Sequence, residues 1–291
     1  MIRFSITLEA LHRLIEEEKP GWGDRAADLT KSPYNPETNK LRSGIWSEIK
    51  AVYMRLQHNK CGYCERLLES ERYGKIEHDV EHFRPKSAVT KWPTRAIKQE
   101  RDLDYDFPTG NASARGYLKL WHHPFNFLTS CKPCNTPLKS CYFPIEGRRN
   151  TRAGDPMHQP GERALLVYPL GDFDENPEDL IDFYGHLAIA KGPVGTRQHR
   201  RAMVTIDFFE LNRHTLQSQR ADVITHLDVA FRLLANGNDE DRIDANEDIK
   251  RLCRNESHHA ACARAYCRRY TSNPTEARKL AQAARMFLTP N

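Results

Sequence analysis

Two Cys-x-x-Cys pairs, Cys61-Gly-Tyr-Cys64 and Cys131-Lys-Pro-Cys134, constrain this chain more than any other feature. Thiolates three residues apart on a tight turn can reach one ion, and two such pairs complete a tetrahedral zinc site. Cys61, Cys64, Cys131 and Cys134 would leave no coordination position open, so such a zinc is structural. The pairs are separated by residues 65–130, a span longer than a simple zinc ribbon needs. The ion would therefore staple the base of a substantial insertion, and the insertion would carry the working residues. Free or redox-active thiols are the alternative, which two well-formed pairs in a reducing compartment disfavour.

Inside that span stands Glu81-His82-Phe-Arg-Pro85, read as the end of a strand over 75–83 that Pro85 terminates. Neighbours on a strand point to opposite faces, which lets the backbone separate a metal ligand, Glu81, from a base, His82. Histidine is the side chain whose unperturbed pKa suits proton abstraction near neutral pH. Asn135 follows a cysteine of the knuckle directly, so its amide oxygen is a rigidly placed ligand. Asn126 has a two-sided amide suited to orienting a loop or the imidazole. Arg84, Lys86 and Lys139 are the cations placed to meet phosphate.

The succession Cys-x-x-Cys, Glu-His-x-x-Pro, Asn, Cys-x-x-Cys-Asn resembles the HNH endonucleases with their ββα-metal fold. It is most similar to the HNH subunit of Septu-type anti-phage systems, also found beside some retrons. The likeness runs through Cys61-Gly-Tyr-Cys-Glu65, Glu81-His-Phe-Arg-Pro-Lys86, Trp121, Asn126, Cys131 to Asn135, Lys139 and Phe143-Pro144. A weaker echo continues at Leu165-Leu-Val-Tyr-Pro169 and Leu211-Asn-Arg213. The resemblance implies His82 as general base and Asn126 as the middle asparagine. It implies Glu81 and Asn135 as ligands of a catalytic ion, and a zinc on the four cysteines. A carboxylate with a carboxamide favours Mg²⁺ or Mn²⁺ over a second zinc. DNA as substrate and an ABC-type ATPase as partner subunit are likewise implied by the resemblance. The departures concern loops: four residues separate Trp121 from Asn126, residues 88–116 are inserted, and Lys139 lies four beyond Asn135.

At 291 residues the chain can build more than one module. Its start lacks a signal-peptide core and no apolar run approaches the ~20 residues of a membrane span, so a cytoplasmic, disulfide-free protein is expected. Residues 60–152 hold 17 Lys/Arg against 11 Asp/Glu, a surplus of +6 within a whole-chain net charge of +5. The remainder thus sums to −1, and the motif segment is the part biased towards an anionic partner.

The expected plan is α+β: an N-terminal helical segment (1–59), an HNH core (60–152) with a loop-rich insertion at 88–116, and a C-terminal module (153–291), mixed then helical. Helices are expected at 7–18 and from a cap at Ser43, with a loop over 19–42, a strand at 164–169 and a hairpin turning at Gly185. Leu216, Val223, Leu227, Phe231 and Leu234 predict one long apolar stripe, and helices are expected near 245–254, 257–270 and 274–288. His78 reads as exposed, Cys141 as packed, and His122 and His123 as cleft or surface residues. Cys253, Cys262 and Cys267 with His258 and His259 match no metal-ligand spacing.

Metal-dependent hydrolysis of DNA by an anti-phage effector is thus the leading expectation, with residues from about 197 onward docking the ATPase and restraining the nuclease. An RNA-directed nuclease and a non-catalytic zinc module remain as alternatives, the latter disfavoured because a bare knuckle needs neither His82 nor Asn135.

Overall fold

The computed structural model describes residues 1–68, 78–159 and 161–289. Two compact units are built largely from residues 3–175 and 176–291. The boundaries expected at 59/60 and 152/153 fall inside the first of them.

The first unit opens with α1 (Leu8–Glu18), whose Thr7 hydroxyl caps the Ala10 N–H and whose Leu11 and Ile15 are buried. The loop expected over 19–42 contains a helix, α2 (Trp22–Lys31). Trp22, Ala26 and Leu29 supply a buried stripe at helical spacing, which outweighs the Pro20-Gly21 signal. The Glu16 carboxylate, reaching from α1, accepts the Gly21 and Gly23 N–H groups at 2.7 Å each and so caps α2. The next helix does not begin at Ser43. A 3₁₀ turn, Trp46–Ile49, leads into α3 (Lys50–Leu56), and no side chain caps either start.

Strand β1 (His78–His82) pairs antiparallel with β2 (Phe127–Cys131), setting Glu81 opposite Leu128 and His82 opposite Phe127. The part of the expected strand before His78 lies outside the described residues. A short helical segment, Cys134–Lys139, follows β2 directly. The insertion is irregular apart from α4 (Arg95–Glu100), capped by Thr94. Residues 165–169 are deeply buried but form no ladder; the half-buried Ala164 bridges Ile145 singly, and Leu170 bridges Phe4.

The second unit starts with α5 (Pro177–Leu180) and the hairpin β3 (Ile181–Tyr184)–β4 (Leu187–Ala190). Gly185 takes a left-handed φ of 59° at the turn, as expected of its position. Helices α6 (Arg197–Phe208), α7 (His214–Asn236), α8 (Asp239–Cys253), α9 (Ala260–Ser272) and α10 (Pro274–Leu288) complete it. Helix α8 begins six residues earlier than expected because Asn238 and Asp241 form a capping box. The α7 stripe is buried at Leu216, Val223 and Leu227. It ends there: Phe231 is half-buried on Tyr270, and Leu234 is exposed. Among the described residues no helix is long and apolar enough to cross a membrane.

Candidate functional site

The four knuckle cysteines are buried, and their ligand atoms lie within 4.8 Å of one another. They can hold a zinc ion: four sulfurs converge where desolvation would otherwise strand them. Gln57, a residue that sequence reasoning passed over, secures this corner. Its Nε2 donates to Lys60 O at 3.0 Å and to Thr129 O at 2.8 Å, while its Oε1 accepts the Thr129 N–H at 2.8 Å. The Gly62 N–H also donates to Thr129 O, at 3.0 Å, so the first cysteine turn is laced to β2 ahead of the second.

Next to it, Trp46, Ser47, Lys50, Asp79, Val80, Glu81, His82, Lys86 and Asn135 line a cleft of about 520 Å³. Glu81 and His82 both face it, although they are neighbours on a strand. Among the described residues this sheet has two strands, β1 and β2.

His82 is 6% exposed, between Trp46 and Phe127, with ring centroids 4.8 and 5.0 Å away. Its Nε2 lies 3.0 Å from the Trp121 carbonyl oxygen, which can only accept. That contact puts the proton on Nε2 and leaves the lone pair on Nδ1. Burial, reinforced by the nearby Lys86, holds the imidazole well below its ordinary pKa, so the ring is neutral.

Burial pushes the Glu81 carboxyl up, against the pull of the Lys139 ammonium 3.6 Å away. Lys139 is fully buried and its own pKa is lowered by the same desolvation. Asn135 donates from Nδ2 to Asp79 Oδ2 at 3.1 Å, which turns its oxygen to the other side. Asp79, absent from the expected set, shares a strand face with Glu81 by the two-residue period and pairs with Lys132 at 2.5 Å.

Of the predicted cations, Lys86 lines the cleft, with its Nζ 3.5 Å above the Trp46 ring. The structure does not bring Arg84 there. Arg84 is buried against Glu162 at 2.8 Å, and Tyr117 donates to the same carboxylate. Asn126 lies beneath the loop that follows β1. Its Oδ1 accepts from Arg84 N at 2.8 Å and its Nδ2 donates to Arg84 O and Leu120 O at 3.1 and 3.0 Å.

The two histidines after Trp121 do not line the cleft. His122 Nε2 accepts from the Ile45 N–H at 3.3 Å, and His123 accepts from the Phe125 N–H at 3.1 Å. Cys141 is half-exposed beside Ser87 and stands apart from the four sulfurs. Trp46, Ser47, Lys50, Asp79 and Val80 are the cleft residues that the sequence reading missed. Asp79 had a usable signal, two residues before Glu81 on a strand; Trp46 had none.

No family model matches the chain, and no solved structure matches it. The Septu protein PtuB of Bacillus mycoides (strain KBAB4) is 30% identical to it over 181 residues, which is 62% of this chain and 52% of that protein. The chain thus spans about half the length of this curated relative.

Proposed function

We propose that this chain is an HNH-type, metal-dependent endonuclease that hydrolyses phosphodiester bonds of DNA as the nuclease of a Septu-type anti-phage complex. One observation carries the reading: the adjacent Glu81 and His82 on β1 and the sequence-remote Asn135 line a single cleft. The strand pair followed by a short helical segment is the order that a ββα-metal core requires. Similarity to a Septu protein supports the defence context.

The residues fit two metals of different character. The four buried sulfurs suit zinc. The Glu81 carboxylate and the Asn135 oxygen, with Asp79 beside them, form a hard oxygen set suited to Mg²⁺ or Mn²⁺. When bound, such a cation offsets phosphate charge and stabilises the leaving oxygen. His82 supplies the base: its neutral ring, held by Trp121, offers Nδ1 to take a proton from the attacking water. Lys86, over Trp46, is placed to pair with a phosphate oxygen. Arg84, Glu162 and Asn126 act from below, fixing the turn that carries Lys86.

The second unit has no comparable grouping of catalytic residues among those described. Val229, Leu233, Leu234, Ile243 and Met286 are exposed on its helices, as a docking surface for a partner subunit would be. The resemblance makes that partner an ATPase. Incubating the purified protein, alone and with the co-expressed product of the neighbouring gene, with plasmid and with RNA in Mg²⁺, Mn²⁺ or EDTA tests the reading. Metal-dependent DNA cleavage supports it. Cleavage of RNA alone moves the substrate class, and inertness on both under every condition removes the nuclease.

A further inference from the structure

Cys253 and Cys267 lie outside the knuckle and outside the cleft, in the second unit. Cys253 is the last residue of α8 and Cys267 sits within α9; their sulfurs are 3.4 Å apart. Both are half-buried, so small solutes can reach them. We propose that these two thiols form a redox-active pair that a hydroperoxide oxidises reversibly to a disulfide.

The geometry is prearranged by a third residue. Arg264, one helical turn before Cys267 on α9, donates from Nη1 to the Cys253 carbonyl oxygen at 2.6 Å and to Asn255 Oδ1 at 3.1 Å. It is itself clamped by Glu178, through Nε at 3.0 Å and Nη2 at 2.5 Å. The arginine thus ties the end of α8 to the helix that carries the partner thiol. A disulfide is ~2.05 Å long, so the sulfurs need to close by roughly 1.4 Å, within reach of modest χ1 rotations.

The two sulfurs are also unequal. The hydrogen bond shared with Cys267 draws the Cys253 thiol down from its ordinary value against the effect of burial, and Arg264 and Arg268 add to it. The same bond, together with burial, pushes Cys267 up. Cys253 is therefore the attacking thiolate and Cys267 the resolving thiol. Cys253 sulfur takes the terminal oxygen of the peroxide, breaking the O–O bond and releasing an alcohol, or water from hydrogen peroxide. Cys267 sulfur then attacks the resulting sulfenic acid and expels water. In total two thiols and one hydroperoxide give one disulfide, one alcohol and one water. Cys262, five residues before Cys267, is fully buried and its thiol is pushed up to about 12, so it takes no part.

The consequence is mechanical. Helix α8 buries just Ala245 and Leu252, and the bond would staple its end to α9 across the connection 254–259. A redox-sensitive tether would thereby sit on the helical unit rather than in the cleft.

The full-length reduced protein, titrated with hydrogen peroxide, quenched with N-ethylmaleimide and mapped by peptide mass, tests this. The expected result is a Cys253–Cys267 cross-linked peptide at peroxide doses that leave Cys262 alkylatable only after denaturation, reversed by dithiothreitol. In Cys267→Ser the cross-link should vanish, and Cys253 should accumulate as sulfenic acid, trapped by dimedone. The proposal is overturned if Cys253 and Cys267 both remain alkylatable when the knuckle cysteines have oxidised. It is equally overturned if Cys253 joins a different cysteine.

Discussion

The Nε2–H of His82 donates to the main-chain carbonyl of Trp121 across 3.0 Å, and this contact decides which ring nitrogen is free. Trp121 is fully buried at the end of a 3₁₀ turn, so the acceptor is fixed by backbone rather than by a mobile side chain. An imidazole held in this way would need little reorientation to act in the proposed role of base.

The knuckle should be a condition of folding. The protein purified without chelators should contain close to one zinc per chain by elemental analysis. Cys61→Ser or Cys134→Ser should lose both the zinc and the cooperative unfolding transition, because metal binding and folding are coupled. A metal-free wild type with a normal transition would contradict this.

Asn126 satisfies three buried backbone groups at once. Asn126→Asp keeps the shape but removes both donations, leaving the Arg84 carbonyl without this partner and the Leu120 carbonyl with the His123 N–H alone. It should cost about 2–4 kcal/mol in chemical denaturation. Activity should fall at temperatures where the protein remains folded, since the Lys86 turn loses its support.

Gly116 packs against the same turn. A Cβ there would lie 2.2 Å from Ser87 O and 2.3 Å from the Lys86 carbonyl carbon. Because both are backbone atoms, Gly116→Ala must move the Lys86 loop, at a cost of about 2–3 kcal/mol. Gly161→Ala, where nothing lies within 4 Å, should stay within about 0.5 kcal/mol of wild type. Thermal melts of the two variants make the comparison.

The second unit should carry an acid weakness at His259. Burial, helped by Arg220, holds this imidazole down at about 3, and its Nε2 lies 3.0 Å from Gln219 Oε1. The folded value is below the unfolded ~6.5, so the unfolded chain takes up a proton that the folded chain refuses. Stability is unaffected above pH ~6.5 and declines from there towards pH ~3, by about 2 kcal/mol at pH 5. His259→Asn, which tolerates the left-handed φ of 51° at this helix start, should remove roughly that part of the loss between pH 7.5 and 5. An unchanged pH dependence in the variant would show that the ring is not buried neutral.

Much of the cleft was legible because its residues carry their chemistry in their spacing. The paired cysteines announced their convergence, and Glu81-His82 before a proline announced a strand end. What failed to show depends on partners remote in sequence. Helix α2 was hidden because its cap, Glu16, belongs to another helix, and the Pro-Gly signal is local. The cations were harder still. Arg84, Lys86 and Lys139 look equivalent as letters, but Glu162 claims the first and Glu81 the last, and only the folded chain shows which carboxylate each one meets. The α7 stripe continued in sequence beyond Leu227, while the surface it packs on did not.

The central claim, that the cleft around His82 is a metal-dependent nuclease site, is tested most directly by one paired measurement. Initial rates of plasmid cleavage in Mg²⁺ are compared for the wild-type and His82→Ala proteins, each purified with its co-expressed partner and each checked for zinc content and thermal transition. The account predicts a loss of at least ~100-fold in the variant, with zinc retained, because removing a general base costs ~10²–10⁴ in rate. A His82→Ala protein that cuts DNA at the wild-type rate would contradict it.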